Sequence, residues 1–161
     1  MTKNELLTKK FTIVKMNEVK ISNDENQIIG TQALATCVAI LLYSETKKKA
    51  IVSHVASNLD EIITKILKLI VEHKMHNDII KYKIIPGYYD NHYNIKDILE
   101  NFFSSIPDMF IPLDDNDFPN NPYQVDMDTK SHEFAFDAYS GKFVTDKVSF
   151  GKEYLEIKKS K

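Results

Sequence analysis

Cys37-Val38-Ala39-Ile40-Leu41-Leu42-Tyr43 and Ala50-Ile51-Val52-Ser53-His54-Val55-Ala56 are two apolar runs separated by the wholly polar Ser44-Glu45-Thr46-Lys47-Lys48-Lys49. Their β-branched and aliphatic content, with a polar turn between, predicts a β-hairpin. Pairing Tyr43 with Ala50 sets Ala39 opposite His54 and Cys37 opposite Ala56. Side chains alternate with period two, so Cys37 and His54 then share one face of the sheet. A different parity of the loop would put them on opposite faces. Cys37 is the only cysteine of the chain. A thiol beside an imidazole makes a nucleophile: the ring takes the proton, the sulfur attacks a carbonyl carbon, and the thiol pKa is expected to be depressed. Spacing alone fits a buried cysteine and a hydrogen-bonded core histidine at least as well.

Upstream of the hairpin, Phe11-Thr12-Ile13-Val14-Lys15-Met16 and Gln27-Ile28-Ile29 read as short strands around the polar Ser22-Asn23-Asp24-Glu25-Asn26 turn. Downstream, Ser57 or Asn58 is a candidate N-cap with an acidic residue three positions on. Ile62, Ile63, Ile66, Leu67, Leu69, Ile70 and Val71 then give a broad apolar face at helical spacing, ending near Met75-His76-Asn77. A strand over 79–85 is stopped by Pro86-Gly87, and a second amphipathic helix covers 94–103. Met109 to Leu113 is a short, proline-limited strand, and 114–122 is an irregular loop. Phe134 to Asp137 and Lys142 to Thr145 make a last hairpin across Tyr139-Ser140-Gly141. Strands flanking two amphipathic helices within one core predict an α+β fold of β-sandwich-like mixed sheets. We take residues 1–161 as one domain with its core over about 11–157.

Composition narrows the function classes. The chain of 161 residues is 43% hydrophobic, enough for a sizeable core, and carries a net charge of −2. All 21 basic residues are lysine, which removes the bidentate arginine contacts that specific nucleic-acid readers favour. We therefore expect no nucleic-acid partner. One cysteine permits no intramolecular disulfide and suits a reducing compartment. Residues 1–10 show no apolar h-region, and no run approaches the ~18 apolar residues of a membrane-spanning helix. The expectation is a cytoplasmic protein without membrane contact, or one delivered into a host cytosol by a route independent of a signal peptide.

Other candidate sites read more plainly. Asp114, Asp115, Asn116, Asp117, Asp126 and Asp128 lack the central glycine and terminal glutamate of an EF-hand loop, so they read as a solvated acidic loop. His73, His76, His92 and His132 form no zinc-ligand pattern with Cys37. Tyr88, Tyr89 and Tyr93, beside Pro86-Gly87, read either as the rim of a cleft or as aromatics on a loop. Lys158-Lys159-Ser160-Lys161 reads as a solvated terminus.

Thr31-Gln32-Ala33-Leu34-Ala35-Thr36-Cys37-Val38-Ala39 resembles the Thr-x-Gly-x-Gly-Ser-Cys-Val-Ala signature of the chemoreceptor glutamine deamidase family, CheD. In that family the catalytic threonine lies six residues before the cysteine and the catalytic histidine seventeen after it. Those positions are Thr31 and His54 here. The closing segments 133–142 and 153–157 are also similar, so the likeness spans about residues 11 to 157. Three signature positions differ: Ala33 and Ala35 stand for glycines, and Thr36 for serine. Pro86-Gly87-Tyr88 replaces a central Gly-Gly-Ala stretch, and the segment 114–122 stands where the family has a glycine-rich, arginine-bearing receptor-contact region. Ala35-Thr36-Cys37 and Gly87-Tyr88-Tyr89-Asp90 are similar to protein N-terminal asparagine amidohydrolase, and bacterial deamidating cytotoxins are more distant relatives.

The resemblance implies a CheD-like fold and a cofactor-free, metal-free protein deamidase. Cys37 would be the nucleophile, His54 the proton carrier and Thr31 its orienting partner. Thr36 would join backbone N–H groups around the oxyanion, with Tyr88, Tyr89 and Tyr93 gripping a protein substrate. An N-terminal asparagine amidohydrolase is the alternative enzyme, and a catalytically silent protein-binding adaptor the alternative of another class. Because the receptor-contact segment is replaced, the expected substrate is not a chemoreceptor.

Overall fold

The computed structural model describes residues 4–24, 26–89, 93–113, 123–151 and 154–160. Among these residues the fold is mixed α+β. Its strands are β1 (Asn4–Val14), β2 (Val19–Ile21), β3 (Ile28–Leu34), β4 (Val38–Ser44), β5 (Lys49–Val55), β6 (Ile80–Ile85), β7 (Phe110–Pro112), β8 (Gln124–Asp126), β9 (Ser131–Asp137), β10 (Lys142–Phe143), β11 (Lys147–Phe150) and β12 (Tyr154–Ser160). Its helices are α1 (Leu59–Glu72) and α2 (Tyr93–Ser104), with a 3-10 turn at Met75–Asn77 after α1.

The strands make two sheets. One runs β10-β9-β3-β1-β12-β11, with β8 also paired to β9. The other runs β2-β5-β4-β6-β7. Both are mixed: β1 with β3 and β6 with β7 are parallel, and the remaining pairs are antiparallel.

The central hairpin is β4–β5, with Tyr43 opposite Ala50 and Ala39 opposite His54. β4 is buried along its whole length because both its faces are covered. Val38, Ile40 and Leu42, with Ile51 and Val55 of β5, pack under Ile62, Ile66 and Ile70 of α1 and Leu99 and Phe103 of α2. The alternate set, Ala39, Leu41, Tyr43, Ala50 and Val52, meets Val14, Ile29, Leu34, Phe134 and Phe136 of the other sheet. This is why the sequence here is a continuous apolar run. A third cluster, with Phe11, Ile28, Ala135, Val148, Leu155 and Ile157, backs the first sheet.

The structure revises the ends of the chain. β1 starts at Asn4, well before Phe11, because its first half pairs antiparallel with β12, Asn4 opposite Ser160 through Lys10 opposite Tyr154. Only its last four residues pair with β3, and they do so in parallel, Phe11 opposite Ile28. The two therefore do not flank a hairpin turn: β2 intervenes and joins the other sheet through β5. β2, β8, β11 and β12 are strands that local pattern did not predict. Asn58 does stand at the N-cap of α1, but in the left-handed region (φ 56°) and without a side-chain cap bond.

Candidate active site

Five backbone segments converge at one end of the space between the sheets. β3 brings Thr31, the turn after it brings Thr36 and Cys37, and β5 brings His54. The exit of β6 brings Pro86 to Tyr89, and the start of β9 brings His132. A register shift between Thr31 and Leu34 ends the regular β3–β9 ladder, and Ala33 within it has φ 62°. The bulge turns the chain out of the sheet and into the tight segment 34–37.

Thr31 is fully buried and its Oγ1 lies 2.5 Å from the Val14 carbonyl oxygen and 2.8 Å from His54 Nδ1. A carbonyl only accepts, so the single hydroxyl proton goes to Val14. Oγ1 must then accept from His54, which places the imidazole proton on Nδ1 and leaves Nε2 as a bare acceptor. That Nε2 is buried and has no hydrogen-bond partner among the described residues. Burial pushes the His54 pKa down from 6.5 to about 4, so the ring is neutral near pH 7.

The backbone of His54 is pinned as firmly as its ring. Asn17, at φ 62° in the β1–β2 turn, donates its N–H to the His54 carbonyl (2.7 Å), and the His54 N–H donates to the Glu18 carbonyl (3.2 Å). Asn17 Oδ1 accepts from the N–H groups of Ala56 and Ser57 at 3.2 and 3.1 Å. The same turn region therefore fixes Thr31 through Val14 and the end of β5 through Asn17.

Cys37 is 6% exposed and belongs to the apolar cluster between the sheets, with Ala39, Leu41 and Tyr43. The register and the alternation put it on the face that carries His54. The two side chains are not hydrogen-bonded in this conformation. The thiol pKa is raised by burial, with a hydrogen bond from Thr36 acting in the opposite sense. The sequence expectation of a depressed thiol is thus overturned: desolvation of the sulfur raises its pKa above the ordinary value.

The Pro86–Tyr89 segment lies across the cysteine turn. Tyr88 N–H donates to the Leu34 carbonyl and Tyr89 N–H to the Ala35 carbonyl, each at 2.9 Å. A Cβ on Gly87 would sit 2.5 Å from the carbonyl oxygens of both Ala35 and Cys37, so only glycine permits this approach. Tyr88 is half-buried and its ring meets Tyr89 edge-on at 5.1 Å, while Tyr89 is exposed. The side chain of Tyr93, the first residue of α2, and the whole 114–122 loop lie outside the described residues. Thr36 is exposed beside the thiol.

Sequence reasoning did not single out the Val14 carbonyl, Asn17, the Gly87 contact or His132. Asn17 carries no local signal beyond a residue type that tolerates positive φ. His132 carried one: it alternates with Phe134 and Phe136 on the core-facing side of β9.

No protein-family model matches the chain, and no curated protein sequence matches it. Among the described residues, no group of three or more histidine, cysteine, aspartate or glutamate side chains is arranged to hold a metal ion. No helix among them is long and apolar enough to cross a membrane.

Proposed function

We propose that the chain is a thiol-dependent protein amidohydrolase, a deamidase of glutamine or asparagine side chains with a CheD-like fold. The observation that carries this reading is the state of His54: Thr31 holds the proton on Nδ1, and the buried Nε2 is left without a partner on the face that bears the sole cysteine. An unpaired buried acceptor costs stability, and such costs concentrate where a group is kept for chemistry. Ala33 adds support. Its φ of 62° favours glycine, which the resembling signature has at that position.

The chemistry follows from neutral partners. Nε2 takes the proton from the Cys37 thiol as the sulfur attacks the carboxamide carbon, and backbone N–H groups near Cys37 hold the oxyanion. The proton on Nε2 passes to the departing nitrogen, so ammonia leaves and a thioester remains. Water then attacks the thioester, Nε2 takes its proton, and collapse returns the proton to sulfur with release of the carboxylic acid. No cofactor enters either step.

The test offers the purified chain chemoreceptor fragments, asparagine-starting peptides and the proteins of a lysate. It measures ammonia and the mass gain of about 1 Da that replaces a carboxamide by a carboxylate. Gain that requires Cys37, lost in Cys37→Ser, is the expected result. Conversion confined to terminal asparagine selects the N-terminal amidohydrolase, and receptor conversion overturns the expectation that receptors are not substrates. A silent adaptor is the second reading, favoured by the buried thiol and its raised pKa. It predicts no Cys37-dependent product in any sample.

A further inference from the structure

His132 stands at the same end of the intersheet space and takes no part in the chemistry above. It is 8% exposed and pairs with Leu34 across the β3–β9 ladder, immediately before the cysteine turn. Its ring stacks on Tyr123 at 3.9 Å with an interplanar angle of 23°, and meets Tyr88 edge-on at 5.8 Å. Its Nδ1 lies 2.9 Å from the Pro86 carbonyl oxygen. A carbonyl only accepts, so Nδ1–H is the donor.

We propose that His132 is a positioning residue for Cys37, acting through Pro86-Gly87, in addition to and resting on the deamidase reading. Two backbone bonds, from Tyr88 and Tyr89, tie the loop to Leu34 and Ala35, and Gly87 presses on the carbonyls of Ala35 and Cys37. Upstream, the pairing of Ile85 with Ala39 holds the chain up to the loop. Between these anchors His132 holds the Pro86 carbonyl from a rigid strand. A proline carbonyl released from this bond lets residues 86–87 lift, and the backbone around Cys37 loses its wall. The buried thiol is then uncovered and the neighbouring N–H groups lose their orientation. A displacement on the order of 1 Å is enough to matter in such a site.

The test measures the second-order rate of Cys37 alkylation by iodoacetamide at pH 7, a reaction that needs no identified substrate. His132→Leu and His132→Asn have nearly the same shape and both remove the stack on Tyr123. Only asparagine retains an N–H donor at the place of Nδ1. His132→Phe retains the ring without the donor. Because the loop covers the thiol, the expected result is an alkylation rate about five- to tenfold above the parent in the leucine and phenylalanine variants, the effect of one lost hydrogen bond, and within about twofold of it for asparagine. Equal rates in the leucine and asparagine variants overturn the proposal, since a purely structural ring would affect both alike. A phenylalanine variant that alkylates like the parent overturns it as well. Should phenylalanine fail to fold, the leucine–asparagine pair alone decides. His54→Ala, run alongside, reports on the base itself and leaves the comparison between His132 variants unchanged, so the two readings fail separately.

Discussion

The two faces of the β4–β5 hairpin are built from the same strands to opposite ends. The face toward α1 and α2 is mainly aliphatic and aromatic: Val38, Ile40, Leu42, Ile51 and Val55 against Ile62, Ile66, Ile70, Leu99 and Phe103. The face toward the other sheet begins the same way, with Ala39, Leu41 and Val52, then ends in Cys37, His54 and the buried hydroxyl of Thr31. The helix side also buries Ser44, bonded to Asp78, and Ser53, whose hydroxyl has no hydrogen-bond partner among the described residues. The other side accepts an unpaired imidazole nitrogen and a strained Ala33. The apolar packing and the candidate site are thus set on opposite faces by the period-two alternation of two strands. Even-numbered residues of β4 and odd-numbered residues of β5 face the helices, and their neighbours face the other sheet.

That separation is broken most directly by paired substitutions. Cys37→Ser is expected to lower turnover by at least about a thousandfold, or about 4 kcal/mol in transition-state stabilisation, with stability changed by no more than about 2 kcal/mol. Ile66→Ala should do the reverse. It opens a cavity under α1 and costs about 2–5 kcal/mol of stability, while turnover per folded molecule stays at the parent value. Denaturant melts and steady-state rates on both variants decide. A cysteine variant that keeps its activity, or an isoleucine variant that folds normally and turns over slowly, would show that the two faces are not independent.

Acid distinguishes the faces next, because only one of them titrates. His54 is 2% exposed, and burial lowers its pKa from 6.5 to about 4. Between those values the unfolded chain binds a proton that the folded chain refuses, so stability rises with pH across that window. Acidification through that window should therefore remove about 3 kcal/mol, the equivalent of that pKa difference, with the loss levelling off below pH 4. Glu133 acts oppositely. Burial, reinforced by the charge of Asp126, pushes its carboxyl from 4.5 up to about 7, so it costs stability as pH rises through that range. The measurement is therefore the difference in unfolding free energy between parent and His54→Gln from pH 7 to 4, in which Glu133 cancels. A flat difference would show that His54 is not held neutral by burial.

The hairpin was legible because local information determines it. Two aliphatic runs and a six-residue polar turn set Tyr43 opposite Ala50, and parity then puts Cys37 with His54. Thr31 was not legible from pattern. Its tie to His54 depends on β1 and β3 lying parallel, and it entered only through the resemblance at six residues before the cysteine. The ends of the chain were illegible for a related reason. Asn4 to Lys10 lacks a strand alternation and is extended because β12, more than a hundred residues away, pairs with it. The raised thiol pKa was not legible because its desolvation comes from tertiary covering, by the opposite sheet and the Gly87 loop, which no spacing of cysteine and histidine encodes.

The smallest expected effect concerns where the site side of the molecule stores strain. Ala33 and Ala35 both stand at positions where the resembling signature has glycine, yet only Ala33, at φ 62°, is left-handed. An alanine there costs about 1 kcal/mol relative to glycine, partly offset by the greater freedom a glycine gives the unfolded chain. Ala33→Gly should therefore stabilise the protein by a fraction of about 1 kcal/mol. Ala35→Gly, with no positive φ to relieve, should destabilise it by roughly 0.5–1 kcal/mol. Chemical denaturation at one pH reads both signs. If both substitutions destabilise, the bulge at Thr31–Leu34 is relaxed and the strain assigned to this face is absent. If both stabilise, the turn at 35 carries strain as well, and the contrast between the two faces of the hairpin is larger than the dihedral angles alone indicate.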